Sequence, residues 1–467
     1  MVVELPTQAK LAVTQSLPVT HPELLERVAL FSSRKLVLAR GILTLPCDLT
    51  FIDAAVELLH AVMTSLWQQP PQTVLAEWRS LIEEKMIEGT LGDPTRLLIS
   101  YHPLEDALGV TGGFQIRIAT ETPETTLPIS RQSSLAEQTS VWGELKLPAL
   151  PSLLDCHVAQ IGQVLEGLGQ TLEVAEVEGW RSAIAPTLDQ LFKASPNAYL
   201  VVRYETLDRE LGLLGGIKLH ISGEIASIAD EYHVWTKTRQ GPLFGSHADA
   251  KVLDVATQLS NPAQSPILDI GAGTGRNSLA LAQRGFPVDA VELAPALAQQ
   301  LIQAKTEAGL KLSVIQGDIL DPTLALQKNH YRLIFLSEVI ASHFRSVEEV
   351  RKVCDRICSL LQPGGFLLFN AFLAVEGYQP SLIQQELAQA FWCCILTQAE
   401  LRTAMADLPL TLLTEESAMV YEEANLPSEA WPPTDWFTGW ATGRNLFPTL
   451  EQPPLELRWV LFRKPFT

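Results

Sequence analysis

The chain has 467 residues, of which 47% are hydrophobic, and a formal net charge of −19. This length exceeds what one core normally serves and predicts two or three folded domains. Both halves are acidic: 16 basic against 28 acidic residues up to Asp230 give −12, and 18 against 25 beyond it give −7. Such a field repels phosphate backbones and anionic lipid, which argues against nucleic-acid and membrane-surface partners.

Six cysteines are present, and none belongs to a C-x-x-C pair or to a cysteine and histidine pattern with zinc-like spacing. Cys354 and Cys358 lie one helical turn apart, which favours a buried helix face, with a metal or redox pair as the alternative. We therefore expect no bound metal.

The first ten residues, MVVELPTQAK, lack the basic and then apolar run of a secretory signal. The most apolar stretch, residues 36–67, is interrupted by four charged residues and cannot span a bilayer. The sequence therefore predicts a cytoplasmic protein.

The N-terminal half contains two similar segments at a nearly constant offset. The 28 residues from Gly41 align without a gap with those from Gly143, at an offset of 102 residues. The same offset relates Trp78-Arg79-Ser80 to Trp180-Arg181-Ser182, and one inserted residue later the segment from Tyr101 aligns with that from Tyr204.

Each copy is predicted to run strand, helix, helix, strand, strand, which is an α+β unit. The opening G-x-L-x-L-P alternates as a half-buried strand does, and apolar residues at helical spacing follow it. The Trp-Arg-Ser element could be functional, but a tryptophan anchored in the core with arginine at its edge is the favoured interpretation. The predicted boundaries are a flexible N-terminus at 1–20, repeat 1 at 21–121, a linker and repeat 2 at 122–228, and a connector at 229–247.

From residue 248 to the C-terminus, predicted strands and helices alternate. A buried strand leads into Gly271-Ala272-Gly273-Thr274-Gly275 and then directly into a helix. The second strand ends on Glu292, 17 residues beyond Gly275. This succession predicts an α/β fold with a doubly wound parallel sheet, whose ligands bind beyond the carboxyl ends of the strands.

The glycine spacing discriminates between two classes of cofactor. Dinucleotide-binding turns use G-x-G-x-x-G to bring the backbone to a pyrophosphate, whereas here the third glycine comes one residue earlier. Asp269 precedes the loop, and an acidic loop suits a cofactor with a cationic sulfonium and amino group. Glu292 can hydrogen-bond both hydroxyls of a ribose, and Asp318, after the third strand, can accept from an adenine amino group.

These features resemble the class I S-adenosylmethionine (SAM) dependent methyltransferases. The resemblance covers the chain from about residue 248 and rests on the glycine loop, the acid of strand two, the Gly317-Asp318 pair and the L-L-Q-P-G-G turn before strand five. Residues 408–423 and 455–465 resemble the family's closing antiparallel hairpin, and residues 273–292 most resemble the tellurite-resistance branch, whose members act on small molecules. The N-terminal half lies outside this resemblance.

The resemblance implies a SAM site, with S-adenosylhomocysteine as the product. It implies that the glycine loop holds the methionine part, Glu292 the ribose and Asp318 the adenine. Asp269 could instead be a structural acid, and Tyr232, which matches a tyrosine that covers SAM in many relatives, could instead serve interdomain packing. The predicted cofactor residues are Asp269, Gly271, Ala272, Gly273, Gly275, Glu292, Asp318, Ser337 and Tyr232.

The acceptor side is less well marked. His343 follows strand four, where many family members place residues near the transferred methyl group, so it is predicted as a general base, with a loop-fixing role as the alternative. An aromatic insertion between the hairpin strands, residues 424–454, is predicted to close over the acceptor as a lid, with packing against the repeats as the alternative. The predicted acceptor residues are Arg276, Trp436, Trp440 and Arg444.

Two functions are compatible with these features. The first is a methyltransferase for a small-molecule acceptor, with the N-terminal repeats shaping or covering the acceptor site. The second is a protein methyltransferase or a SAM-binding regulatory protein, with the repeats as a module that docks a protein partner.

Overall fold

A computed structural model describes most of the chain and divides it into two compact units, Met1–Ile225 and Ala226–Thr467. Among the described residues, no helix has both the length and the apolar character needed to cross a membrane. The described residues are 2–4, 38–66, 72–90, 96–105, 111–121, 134–208, 210–225, 227–238, 243–447 and 450–466.

The first unit is built on a seven-stranded antiparallel sheet in the order β1-β7-β6-β5-β2-β3-β4, and its helices share a core with one face of the sheet. Its strands are β1 (Val2–Glu4), β2 (Leu38–Pro46), β3 (Arg96–Glu105), β4 (Thr111–Glu121), β5 (Ser140–Pro148), β6 (Tyr199–Asp208) and β7 (Gly212–Glu224). Its described helices are α1 (Ile52–Ser65), α2 (Gln72–Thr90), α3 (Leu135–Gln138), α4 (Leu154–Gly167) and α5 (Val174–Ala194).

The two similar segments have the same order of elements. The run β2-α1-α2-β3-β4 matches β5-α4-α5-β6-β7, and each first strand is followed by one 3₁₀ turn. The two first strands pair with each other, with Gly41 opposite Gly143, so both segments contribute to one continuous sheet. The hydroxyls of Tyr101 and Tyr204 meet in the core beside these glycines.

The Trp-Arg-Ser elements have a packing role in both segments. Trp180 is fully buried, and Trp78 packs against the same core. Arg181 forms an ion pair with Asp155 at 2.5 Å, and the equivalent arginine of the first segment pairs with Asp53 at 2.8 Å. Each arginine therefore joins the second helix of its segment to the first.

Several predicted boundaries differ from the observed ones. Val2–Glu4, inside the predicted flexible terminus, pairs antiparallel with β7, and the other residues of 1–20 lie outside the described ranges. Residues 122–133 of the predicted linker also lie outside them. The predicted connector at 229–247 overlaps a helix, Ile228–Thr238, which belongs to the second unit. Its Tyr232 and Trp235 pack there against a small core cluster of Leu243, Ala294 and Leu297.

The second unit confirms the predicted α/β fold class. Its sheet has the order β10-β9-β8-β11-β12-β15-β14; the first five strands are parallel and β15 inserts antiparallel between β12 and β14. Its strands are β8 (Ile267–Ile270), β9 (Val288–Glu292), β10 (Ser313–Gln316), β11 (Tyr331–Leu336), β12 (Leu361–Ala374), β13 (Ile395–Leu396), β14 (Thr411–Ser417) and β15 (Leu455–Arg463). Its described helices are α6 (Ile228–Thr238), α7 (Ala250–Thr257), α8 (Arg276–Gln283), α9 (Pro295–Glu307), α10 (Val339–His343), α11 (Val347–Leu360), α12 (Leu382–Ala390), α13 (Gln398–Met405), α14 (Ala418–Asn425) and α15 (Phe437–Ala441).

The closing hairpin is shorter than predicted. Its first strand ends at Ser417, whose side chain accepts a hydrogen bond from the amide of Val420 and so starts helix α14. That helix turns Glu422 inward, where its carboxylate accepts from the amide of Ala250 at 2.7 Å and from the indole of Trp459 at 3.0 Å. The tertiary contacts of one acidic side chain thus favour helix over the predicted strand.

The central glycine pair of the first unit predicts a large effect for a small substitution. A Cβ at Gly143 would overlap the ring of Tyr204, so Gly143→Ala should lower the free energy of unfolding by about 1 to 3 kcal/mol through overpacking. Gly179, inside α5, has no atom within 4 Å of an added Cβ. Gly179→Ala should therefore raise stability by about 0.5 to 1 kcal/mol. Urea unfolding followed by circular dichroism measures both; equal effects of the two changes would contradict this packing.

Candidate cofactor and acceptor site

The glycine loop follows β8 and uses backbone conformations that favour glycine. Gly271, Gly273 and Gly275 have φ angles of 75°, 56° and 95°. A Cβ on Gly271 would overlap Val339, and one on Gly273 would lie 3.3 Å from the ring of Phe244. Val339 and Phe244 therefore pack closely against the loop, and side chains at Gly271 or Gly273 would collide with them or crowd them.

Glu292, at the end of β9, is positioned by the loop that it faces. The residue is 5% exposed, and its carboxylate accepts hydrogen bonds from the amides of Gly273 at 2.7 Å and Ala294 at 2.8 Å. Burial raises the pKa of this carboxyl, partly offset by the amide hydrogen bonds. The contacts that fix the carboxylate come from backbone amides alone, so the group presents only acceptors, which suits the hydroxyls of a ligand.

The other two predicted acids have different surroundings. Asp269 is buried and accepts from the hydroxyl of Ser278 at 2.6 Å, and burial raises its pKa to about 7. It thereby ties β8 to α8, which agrees with the structural alternative. Asp318 is exposed beyond β10 and accepts from the amide of Leu320 at 2.8 Å. It lies one strand further along the same sheet edge than Glu292.

Arg276 is the first residue of α8, and its guanidinium is enclosed by carboxylates. One nitrogen lies 2.5 Å from Asp249 and the other 3.2 Å from Glu338, with the arginine side chain 8% exposed. Asp249 also accepts hydrogen bonds from Asn277 at 2.8 Å and from the hydroxyl of Ser337 at 2.7 Å. This arrangement disagrees with the predicted role of Arg276 as an acceptor ligand, because its donors already serve buried acids.

Sequence reasoning missed Asp249 and Glu338. Asp249 immediately precedes α7, and an acid at that position is the only sequence signal for it. Glu338 has a left-handed backbone, with φ 63°, and its amide donates to Asn370 at 2.6 Å. Burial raises the pKa of its carboxyl to about 7, while Arg276 acts in the opposite direction. No motif marks a glutamate in this conformation.

An aromatic cluster forms beside the glycine loop. The hydroxyl of Tyr232 lies 3.0 Å from Nε2 of His343. The predicted cofactor residue and the predicted general base are therefore in contact, and their roles stay predictions. Trp392, which no motif indicated, places its ring centroid 5.2 Å from His343 and 5.3 Å from Trp235. Phe244 completes the cluster at 6.0 Å from Tyr232.

His343 is neutral at pH 7 in these surroundings. Burial lowers its pKa to about 4, because the imidazolium form would lose its hydration. Its Nδ1 has no hydrogen-bond partner within the part of the chain that the structure describes. The ring can therefore donate or accept one further hydrogen bond, depending on its tautomer.

The aromatic insertion packs within the second unit. Trp440 is 5% exposed, donates from its indole nitrogen to the carbonyl of Trp392 at 3.0 Å and meets Phe372 edge-on at 4.9 Å. Trp436 is half-buried against Trp440 at 5.5 Å, and Arg444 is exposed. The insertion thus supports the aromatic cluster through Trp440.

Within the described ranges, no group of three or more histidine, cysteine and carboxylate side chains is placed to hold a metal ion.

The buried ion pairs of Arg276 predict a strong effect on stability. Arg276→Leu would leave two carboxylates desolvated without their cation and should cost about 3 to 5 kcal/mol of unfolding free energy. Arg402 forms a surface pair with Glu376 at 3.8 Å, with side chains 64% and 79% exposed, so Arg402→Leu should cost less than about 1 kcal/mol. Chemical denaturation compares the two variants. Similar small losses would show that the Arg276 pairs are not formed.

The comparisons with known proteins agree with this architecture. Residues 267–365 match a family model described as a methyltransferase domain. The match begins at β8 and ends at the start of β12, so it contains the glycine loop, Glu292 and Arg276. No curated protein matches the chain.

Solved structures with similar folds include methyltransferases. Geranyl diphosphate C-methyltransferase from Streptomyces coelicolor A3(2), solved with Mg²⁺, geranyl-S-thiolodiphosphate and S-adenosyl-L-homocysteine, is 18% identical over 46% of this chain and 74% of its own, with a TM-score of 0.38. A SAM-dependent methyltransferase from Methanosarcina mazei is 13% identical over 46% and 98%, with a TM-score of 0.32. The [4+2]-cyclase SpnF is 15% identical over 51% and 96%, with a TM-score of 0.38.

The family match and the strand order, rather than these low similarities, carry the assignment. The resemblance implied five parallel strands with an antiparallel strand inserted before the edge. It also implied a glycine loop after β8 and an acid at the end of β9, and the structure has both. The C-terminal half of the chain is a class I methyltransferase domain whose cofactor is S-adenosylmethionine.

Proposed function

We propose that this protein transfers a methyl group from SAM to a small-molecule acceptor. The observation that carries the proposal is the charge around the glycine loop. Four buried or nearly buried carboxyl groups lie on the segments around the loop, and two of them pair with the single guanidinium of Arg276. Such surroundings favour a cationic ligand and oppose the pyrophosphate of a dinucleotide. The carboxylates belong to Asp249, Asp269, Glu292 and Glu338.

The residues at the loop fit the parts of SAM. The left-handed glycines Gly271 and Gly273 leave the loop backbone without side chains of its own, so its peptide groups can contact the methionine chain, and Glu292 offers acceptors for the ribose hydroxyls. Exposed Asp318, at the end of the next strand, suits the adenine amino group. When bound, SAM supplies an electrophilic methyl on a sulfonium, so the protein contributes mainly alignment and exclusion of water.

His343 is proposed to contact the acceptor. Its lowered pKa makes it a weak base, so its expected contribution is to orient the acceptor by hydrogen bonding and to take a proton only as the methyl group transfers. The contact with Tyr232 fixes the ring from the other side. His343 thus keeps a catalytic role in this proposal, but it orients the acceptor and does not deprotonate it before methyl transfer.

The small-molecule class is supported by the neighbours whose titles name such substrates, including geranyl diphosphate. A protein acceptor or a purely regulatory SAM-binding role has no comparable support. The role of the first unit in shaping or covering the acceptor site, and the cytoplasmic location, stay predictions.

We further propose that the first unit arose by duplication, supported by its two equal runs of elements and the Gly41–Gly143 pair.

The cofactor assignment predicts the effect of one carboxylate. Glu292→Ala should weaken binding of S-adenosylhomocysteine at least tenfold, because two ribose hydroxyls would lose their acceptor in a partly dry site. Glu307→Ala, on the exposed end of the following helix, is the matched control and should bind normally. Isothermal titration calorimetry measures both affinities, and circular dichroism checks that each variant is folded.

Normal binding by folded Glu292→Ala would contradict the assignment of the ribose site. Incubating the wild-type protein with methyl-labelled SAM and a metabolite extract then tests methyl transfer itself. Label recovered only in macromolecules would contradict the small-molecule class.

A further inference from the structure

We propose that the aromatic cluster beside the glycine loop is the acceptor pocket and that it takes a neutral, planar, mostly apolar molecule with one hydrogen-bonding group. The inference rests on the proposed methyl transfer and adds the pocket walls and the acceptor class. The pocket residues are Tyr232, Trp235, Phe244, His343 and Trp392.

The cluster lies where an acceptor must bind. Val339, the first residue of α10, packs against Gly271, and His343 is the last residue of the same helix. At 1.5 Å of rise per residue, about 6 Å along the helix axis separates the two positions. Phe244 also contacts the loop, 3.3 Å from a Cβ built on Gly273. The cluster therefore adjoins the part of the loop assigned to the methionine chain.

Trp392 is held in the cluster against its local backbone preference. Its φ of 58° is left-handed, a conformation that side chains such as tryptophan rarely adopt. The amide of Cys394 donates to Ala341 at 2.6 Å, and the indole of Trp440 donates to the carbonyl of Trp392 at 3.0 Å. Strained residues held by their surroundings occur at functional sites, which favours a binding role for this ring.

The exposure of the cluster also differs from that of a core. All five side chains are only partly buried, although four of them are large aromatic rings. Adjacent, partly exposed apolar rings are typical of ligand-binding grooves. Nδ1 of His343 lies among them without a partner in the described chain, so a ligand group would satisfy it. An acceptor that reaches this nitrogen must separate the ring of His343 from those of Tyr232 and Trp392.

The charge of the cluster defines the acceptor class. None of the five side chains is ionised at pH 7, because His343 stays neutral. The adjacent guanidinium of Arg276 is already enclosed by Asp249 and Glu338. Apart from the sulfonium of SAM itself, an anionic acceptor would gain no counterion from these side chains and would lose its hydration among them. A neutral hydroxyl on a flat ring system meets both the aromatic walls and the free imidazole nitrogen.

The test uses three probes of equal ring size and the full-length protein saturated with S-adenosylhomocysteine. Calorimetry should show that 2-naphthol binds at least tenfold more tightly than 2-naphthoate and protonated 2-(aminomethyl)naphthalene. Trp392→Gly and His343→Phe should each weaken 2-naphthol binding at least tenfold. Trp440→Phe, which removes the hydrogen bond to Trp392, should weaken it about threefold, whereas Trp431→Phe, in the same insertion, should leave it unchanged.

Trp392→Gly also separates a binding role from a packing role. Glycine accepts the left-handed backbone, so the thermal midpoint of this variant should stay within a few degrees of the wild type. A large drop in midpoint, tighter binding of either charged probe, or unchanged 2-naphthol binding in Trp392→Gly would overturn the proposal. Failure of the wild type to bind S-adenosylhomocysteine would instead overturn the proposed function, and that affinity is measured first.

Discussion

One buried guanidinium connects the three chain segments that form the site. Arg276 begins the helix after the glycine loop, Asp249 precedes α7, and Glu338 follows β11. Because an unpaired charge is costly away from water, these segments are stable only in the arrangement that keeps all three groups together. The shape of the loop thus depends on contacts between residues 27 and 62 positions apart.

This constraint extends from the cofactor side to the acceptor side. Glu338 is held left-handed by Arg276 and Asn370, and the short helix that follows it places Val339 on Gly271 and His343 among the aromatic rings. The glycine loop and the proposed acceptor pocket are therefore linked through the helix Val339–His343. Trp440 links the aromatic insertion to the same pocket, because its indole donates to the carbonyl of Trp392.

Spacing along the chain predicts the elements of the second unit. The glycine loop follows β8 and Glu292 ends β9, and the α/β fold class is confirmed, while the binding roles of these residues stay predictions. Spacing gives a wrong answer where tertiary contacts decide. Arg276 adjoins the loop in sequence and was predicted to meet an acceptor, but its partners come from segments that no motif marks. The helix at Ala418–Asn425 and the left-handed Trp392 likewise depend on distant partners, which periodicity does not reveal.

The most direct test of the central claim is a crystal structure of the full-length protein with S-adenosylhomocysteine. We predict that the homocysteine chain lies along residues 271–275, with both ribose hydroxyls within hydrogen-bond distance of Glu292 and the sulfur facing the cluster that contains His343 and Trp392. A ligand bound away from the glycine loop, or a ribose held by groups other than Glu292, would contradict the claim.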